Sequence, residues 1–196
     1  MKILVIDNYD SFTYNLVHRI KETGLVDEIR VQRNDAVDES FAEEADAIIC
    51  SPGPGIPEEA GELMNLIRRF GPRKPLLGVC LGLQAIAEVY GGRLRNLPTV
   101  FHGVSTTMQV VAPEEGLFDE VPELFEAGRY HSWVIDADHL PEVLEVTAID
   151  EGAQIMAVKH REHPVWGVQF HPESVLTPEG GLMLKNFVTA VADRKN

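Results

Sequence analysis

Apolar and polar positions fall into blocks along this chain, and most blocks carry the period of one element. Residues 2–6 (KILVI) are a short apolar run, the pattern of a strand covered on both faces. Residues 12–23 place Leu16, Val17 and Ile20 on one helical face, and Gly24 stops the helix. Residues 28–32 and 45–50 read as strands. Residues 59–70 read as a helix carrying Leu63, Ile67 and Phe70, ended by Gly71-Pro72. A strand over 75–79 and a helix over 81–90 follow, closed by Gly91-Gly92. Strands alternating with helices predict an α/β fold, a mostly parallel central sheet with helices on both faces. From about residue 93 to 166 the pattern changes to short strand-like runs at 104–111, 143–148 and 154–159. These are expected to extend the sheet and to add a smaller antiparallel layer. Residues 165–170 read as a further strand. Thr177-Pro178-Glu179 reads as a helix start, with Thr as N-cap and Pro in the first turn, and the helix runs to about Ala192. No internal repeat, low-complexity tract or long linker interrupts the chain, so 1–196 is expected to be a single domain.

Composition narrows the function. A chain of 196 residues that is 44% hydrophobic can bury one sizeable core. Its 31 acidic and 17 basic residues give a net charge of −14, a poor match for nucleic acid or an anionic membrane. Cys50 and Cys80 have neither metal-ligand spacing nor a disulfide framework, which fits a reducing, cytoplasmic location. The 2–6 run is too short for a signal peptide and breaks at Asp7, and no run approaches transmembrane length.

The candidate chemistry begins at Gly78-Val79-Cys80-Leu81-Gly82, where a strand turns sharply into a helix. That is a nucleophile elbow with Cys in place of Ser. The helix N-terminus favours a thiolate and offers free N–H groups to an oxyanion. The bland alternative is a buried core cysteine, and Cys50, ending an apolar run with no helix directly behind it, is read as that. A Cys nucleophile needs a base and the base an orienting group. Of seven histidines, His171 stands at a strand end, followed by Pro172 and Glu173. Strand ends are where an α/β fold presents catalytic groups, and Glu173 is near enough to orient the imidazole. His131 is the lesser candidate for the base. Ser51-Pro52-Gly53-Pro54-Gly55 follows the Cys50 strand as a rigid turn, either a plain connection or a backbone cradle whose N–H groups face a substrate. In the polar loop 7–15, Asp10 and Ser11 can cap a helix, while Tyr9, Phe12 and Tyr14 crowd aromatics that suit a partner surface.

The elbow GVCLGLQ, the loop SPGPG and the segment QFHPES together resemble the class I, triad-type glutamine amidotransferases, over essentially the whole chain. Asp7-Asn8-Tyr9-Asp10-Ser11-Phe12-Thr13-Tyr14-Asn15 resembles the chorismate-linked branch, which holds anthranilate synthase component II and its para-aminobenzoate counterpart. Gly128-Arg129-Tyr130-His131-Ser132 and Ser174-Val175-Leu176-Thr177-Pro178 fit that branch. The resemblance implies a flavodoxin-like fold and a glutaminase subunit. Cys80 would attack the glutamine side-chain amide, His171 would move the protons and Glu173 would hold His171. The loop Gly53, Pro54, Gly55 would lie at the substrate, with Gly55 and Leu81 N–H groups on the oxyanion. Gln84 would contact glutamine, and Ser132 and Trp133 would grip its amino-acid end, largely through backbone. No metal and no organic cofactor is implied. Two departures stand out: Leu83 where many relatives carry His, and Trp133 where many carry Leu.

On this resemblance the ammonia passes to a chorismate-using synthase subunit in a hetero-oligomer. The synthase makes anthranilate, for tryptophan biosynthesis, or else aminodeoxychorismate, for folate biosynthesis, and one glutaminase can serve both. The pattern sits nearer the anthranilate group. Two other classes stay open at this point. One is a stand-alone cysteine hydrolase or peptidase, and the other a silent interaction subunit.

Overall fold

A computed structural model describes residues 1–112 and 116–194. In chain order the elements are β1 (Lys2–Asp7), α1 (Thr13–Glu22), β2 (Glu28–Arg33), α2 (Glu39–Glu44), β3 (Ala47–Cys50), α3 (Leu63–Phe70), β4 (Leu76–Val79) and α4 (Leu81–Val89). Then come β5 (Leu94–Asn96), β6 (Val104–Val110), β7 (Leu124–Arg129), β8 (Trp133–Ile135), β9 (Leu144–Asp150), β10 (Ile155–His160), β11 (Val165–Val168) and α5 (Gly180–Asp193).

Nine strands form one sheet in the order β2-β1-β3-β4-β11-β10-β9-β6-β7. The half from β2 to β11 is parallel, and the half from β10 to β7 is antiparallel. β5 and β8 pair as a separate two-stranded sheet. The short runs expected after residue 93 therefore mostly widen the main sheet, and β5–β8 is the smaller layer.

Side-chain alternation splits the core in two. Ile3, Val5, Ile49, Leu77 and Val79 pack on one face with α1 and α5. Leu4, Ile6, Ile48, Cys50 and Leu76 pack on the other with α2, α3 and α4. Neighbouring residues of one strand serve opposite cores, which is why the parallel strands read as continuous apolar runs.

Three expectations are corrected. The helix expected over 59–70 starts at Leu63, because Pro57–Glu59 forms a separate 3-10 turn. The last helix starts at Gly180, with Glu179 at its N-cap. Thr177 does not cap it: its hydroxyl donates to the His171 carbonyl at 2.7 Å and accepts from Gly128 N–H at 3.0 Å. At α1, Phe12 is the N-cap residue and no side chain caps the helix. Asp10 instead accepts from Phe12 N–H, and Asp7 accepts from Tyr9 and Asp10 N–H and from the Thr13 hydroxyl. The elements α2, β5, β7 and β8 are additions to the sequence reading.

Candidate active site

β4 ends at Val79 and α4 begins at Leu81, so Cys80 makes the whole turn, at φ 53° and ψ −100°. A non-glycine residue rarely adopts such a backbone, and a strained turn of this kind marks sites where a side chain must be presented. The neighbouring glycines make it sterically feasible. A Cβ on Gly78 would lie 2.5 Å from the Gly82 backbone, and one on Gly82 would lie 2.6 Å from the Cys50 carbonyl. β4 and α4 thus touch across bare backbone, and the Cys80 N–H is held by the Val168 carbonyl of β11 at 2.8 Å.

The thiol opens on a cavity of about 150 Å3 lined by Gly53, Pro54, Gly55, Cys80, Gln84, Tyr130, His131, Ser132 and Trp133. Seven of the expected site residues are brought to this one cavity: Gly53, Pro54, Gly55, Cys80, Gln84, Ser132 and Trp133. Leu81 directs its side chain to a neighbouring cavity behind Pro54, while its N–H belongs to the unpaired first turn of α4. The 51–55 loop is fixed from behind. Asn8 donates to the Ser51 carbonyl at 2.7 Å, and its own N–H reaches the Ser51 hydroxyl at 2.9 Å. A Cβ on Gly53 would lie 2.6 Å from the Asn8 Cβ. Gly55 has φ +75°, a conformation glycine takes without strain.

His171 and Glu173 are both buried, with Nδ1 and Oε1 2.7 Å apart. The 171–177 segment is strapped to β7. His171 N–H donates to the Gly128 carbonyl, and the Thr177 hydroxyl ties the Gly128 N–H to the His171 carbonyl. Tyr130 and Phe12 cover the imidazole, with ring centroids 4.8 and 5.4 Å from it. Nε2 is buried and makes no hydrogen bond of normal geometry, but the sulfur is close enough to act on it electrostatically. Burial, the largest influence, pulls the His171 pKa down, yet Cys80 and Glu173 together overcome it and raise the pKa to about 10.

His131 is a different imidazole. It is buried beside Arg129, whose Nε lies 3.1 Å from His131 Nε2, while Nδ1 lies 3.0 Å from the Trp133 carbonyl. Burial first, and the Arg129 charge second, push its pKa down to about 3. Arg129 is itself buried, paired with Asp150 at 2.8 Å and stacked 3.6 Å over the Phe101 ring. His131 is a neutral, fully bonded group, so it is not placed to act as a base.

Cys50 is fully buried beneath Gly82, and burial pushes its thiol up to about 12. That is the state of an inert core cysteine.

Residues 4–191 match the family described as glutamine amidotransferase class-I. This chain belongs to the class I glutamine amidotransferases. Among its relatives, the Lactococcus lactis protein named anthranilate synthase component 2 is 45% identical, over 98% of this chain and 96% of its own length. The Escherichia coli protein named aminodeoxychorismate synthase component 2 is 43% identical, over 95% of this chain and 98% of its own. A Thermotoga maritima protein named bifunctional protein TrpGD is 46% identical, and this chain spans 32% of its length. Among solved structures, one from Thermoplasma acidophilum, named provisionally for a GMP synthase, superposes with a TM-score of 0.87 at 25% identity. The match covers 100% of this chain and 96% of that one. The amidotransferase therefore sits in the branch whose members carry the anthranilate and aminodeoxychorismate synthase names.

The expected backbone grip by Ser132 and Trp133 is constrained, because the Trp133 carbonyl already accepts from His131 and from Gln84, and the Ser132 carbonyl from Leu97 N–H. What those residues have left for a ligand is the Ser132 hydroxyl and N–H groups. Gln169 is a site residue that the sequence reading misses. It is fully buried, and its Nε2 lies 3.5 Å from the Cys80 sulfur. The available signal is a lone amide in the otherwise apolar stretch 165–170.

Proposed function

We propose that this chain is the glutaminase subunit of a chorismate-using synthase, with Cys80, His171 and Glu173 as its catalytic triad. The observation that carries the reading is one site holding a strained cysteine elbow and a histidine whose pKa is raised by Cys80 and Glu173. In this reading His171 takes the thiol proton, giving a thiolate beside an imidazolium. The thiolate attacks the side-chain amide carbon of glutamine, and the carbonyl oxygen becomes an oxyanion. N–H groups of Gly55 and Leu81 stabilise it, a contribution of about 3–4 kcal/mol per donor in comparable sites. The C–N bond then breaks as His171 gives its proton to departing ammonia, leaving a γ-glutamyl thioester. Water, deprotonated by His171, attacks the thioester; glutamate leaves and the proton returns to the thiol–imidazole pair. Glu173 keeps His171 oriented and balances its charge throughout. No metal or organic cofactor enters this scheme.

The cavity suits one small amino acid: at about 150 Å3 it is smaller than the roughly 300–1,000 Å3 of pockets for drug-sized ligands. This favours glutamine over the peptidase alternative. Both amide hydrogens of Gln84 are used inside the protein, on Trp133 and Gln169, so its carbonyl oxygen is the atom proposed to meet glutamine.

The synthase partner is proposed to dock around the 7–15 loop. Tyr14 is 68% exposed and Val175, beside the 171–174 segment, is 87% exposed. Phe12 from the same loop packs on both Tyr130 and His171. An occupied partner face would shield the ammonia from water, which would protonate it and remove its nucleophilicity. Anthranilate synthase is the first assignment and aminodeoxychorismate synthase the second, in a cytoplasmic complex, with residues 1–196 acting as one amidotransferase domain.

The test is glutamine-dependent product formation with each purified synthase, with Cys80→Ala alongside and ammonia as a second nitrogen source. Anthranilate formed only with intact Cys80, and restored by ammonia in the variant, supports the reading. Product with the other synthase alone moves the chain to the folate assignment. Glutamine-dependent product with Cys80→Ala overturns the triad.

A further inference from the structure

The buried polar groups at the cavity and behind it form one chain of hydrogen bonds whose direction is fixed at every step. Arg129 can only donate, and its Nη1 pairs with Asp150 at 2.8 Å while its Nε meets His131 Nε2 at 3.1 Å. His131 Nε2 must therefore accept, which puts the ring proton on Nδ1, 3.0 Å from the Trp133 carbonyl. That carbonyl can only accept, so the Gln84 atom 3.0 Å from it is the NH2 group. The same NH2 lies 3.3 Å from the Gln169 side chain, so the Gln169 atom facing it is the oxygen. The remaining Gln169 group, its NH2, is then the one 3.5 Å from the Cys80 sulfur. The amide orientations, normally ambiguous, follow from a cation and a backbone carbonyl. His131 being held neutral agrees with that order.

We propose that Gln169 is a further catalytic residue, whose side-chain N–H donates to the Cys80 thiolate and holds it in the ionised, cavity-facing state. Gln84, His131 and Arg129 act through it as positioning residues that prevent the amide from turning. The proposal rests on Cys80 being the nucleophile. A donor to sulfur stabilises the thiolate and not the thiol, because the neutral sulfur is a weak acceptor. The amide is uncharged, so it adds this stabilisation without competing with His171 for the proton.

The experiment is the pH profile of Cys80 alkylation by iodoacetamide on the full chain, read by mass spectrometry of the Cys80 peptide. Cys50, buried and pushed up to about 12, serves as the unreactive internal control. In Gln169→Leu the alkylation midpoint is expected to rise by about one pH unit, the size of a lost hydrogen bond to a charged group. Gln169→Glu keeps the shape and places a carboxylate at the sulfur, so its midpoint should rise further. Gln84→Met frees the Gln169 amide to rotate and should give a smaller rise in the same direction. A wild-type midpoint in Gln169→Glu, in protein with a normal thermal melt, overturns the proposal, and the Glu variant serves if the Leu variant does not fold. The underlying reading fails separately, by glutaminase activity persisting in Cys80→Ala, which the alkylation profile does not measure.

Discussion

His131 and His171 are two buried imidazoles of the same site, and they are set to opposite charge states. Each has one ring nitrogen tied to an acceptor: the Trp133 carbonyl for His131, the Glu173 carboxylate for His171. Burial disfavours charge at both. The other neighbour decides the outcome. At His131 it is the Arg129 guanidinium, a cation that adds to the burial penalty. At His171 the neighbours are Cys80 and Glu173, which overcome it. One imidazole becomes a fixed link in a hydrogen-bond chain, and the other is the one proposed to carry a mobile proton. Chain position does not separate them, since each follows a strand end; the charge placed beside them does.

The largest expected effect tests the charged one. His171→Ala should lower glutamine hydrolysis by up to about 10^4-fold, the upper range for a positioned acid–base group, equivalent to about 5 kcal/mol. His131→Gln should lower it far less, and steady-state kinetics on the complex compares the two directly. Equal losses would mean that both histidines move protons.

Next in size is the foundation beneath His131. Arg129→Met leaves Asp150 buried without its cation, and such broken pairs cost about 3–5 kcal/mol. Chemical denaturation measures that loss. A change below about 1 kcal/mol, the scale of an exposed ion pair, would show that water reaches Asp150.

A third prediction concerns pH and has opposite signs at the two rings. His131 has a folded pKa near 3, below the unfolded 6.5, so the unfolded chain binds more protons between those values. Its contribution makes stability fall as pH drops below about 6.5, until about pH 3. His171 has a folded pKa near 10, so its contribution is full below 6.5 and is lost as pH rises towards 10. Denaturation series should therefore flatten on the acid side in His131→Gln and on the alkaline side in His171→Gln. The reverse assignment would invert the comparison. The smallest effect is expected at Cys50→Ala, which removes one buried sulfur from the apolar layer under Gly82 and should leave glutamine hydrolysis within about twofold of wild type, because that thiol is fully buried in the core.

The parallel half of the sheet was legible because each strand carries its own apolar run and each helix its own stripe. Cys80, His171 and Glu173 could be proposed from sequence for a related reason. The glycines at 78 and 82 announce a backbone approach that only bare Cα positions allow, and His171-Pro172-Glu173 is local in sequence. The antiparallel half was less legible. β7 (LFEAGR) has too few apolar residues to stand out, and β5 and β8 are three residues long. Thr177 looked like a helix cap because Ser or Thr before Pro is the usual start signal. Its hydroxyl is instead used between Gly128 and His171, contacts 49 and 6 residues away in sequence. Gln169, Arg129 and Asp150 could not be joined from sequence, because their relation depends on three strands meeting in space.

The most direct test of the triad is an acid quench during turnover of labelled glutamine in the synthase complex, with the γ-glutamyl adduct mapped by mass spectrometry. Label is expected on the Cys80 peptide, with none on Cys50 and none in Cys80→Ala, and the adduct is expected to be scarce in His171→Ala. Turnover with no adduct on Cys80, or label appearing on another residue, would contradict it.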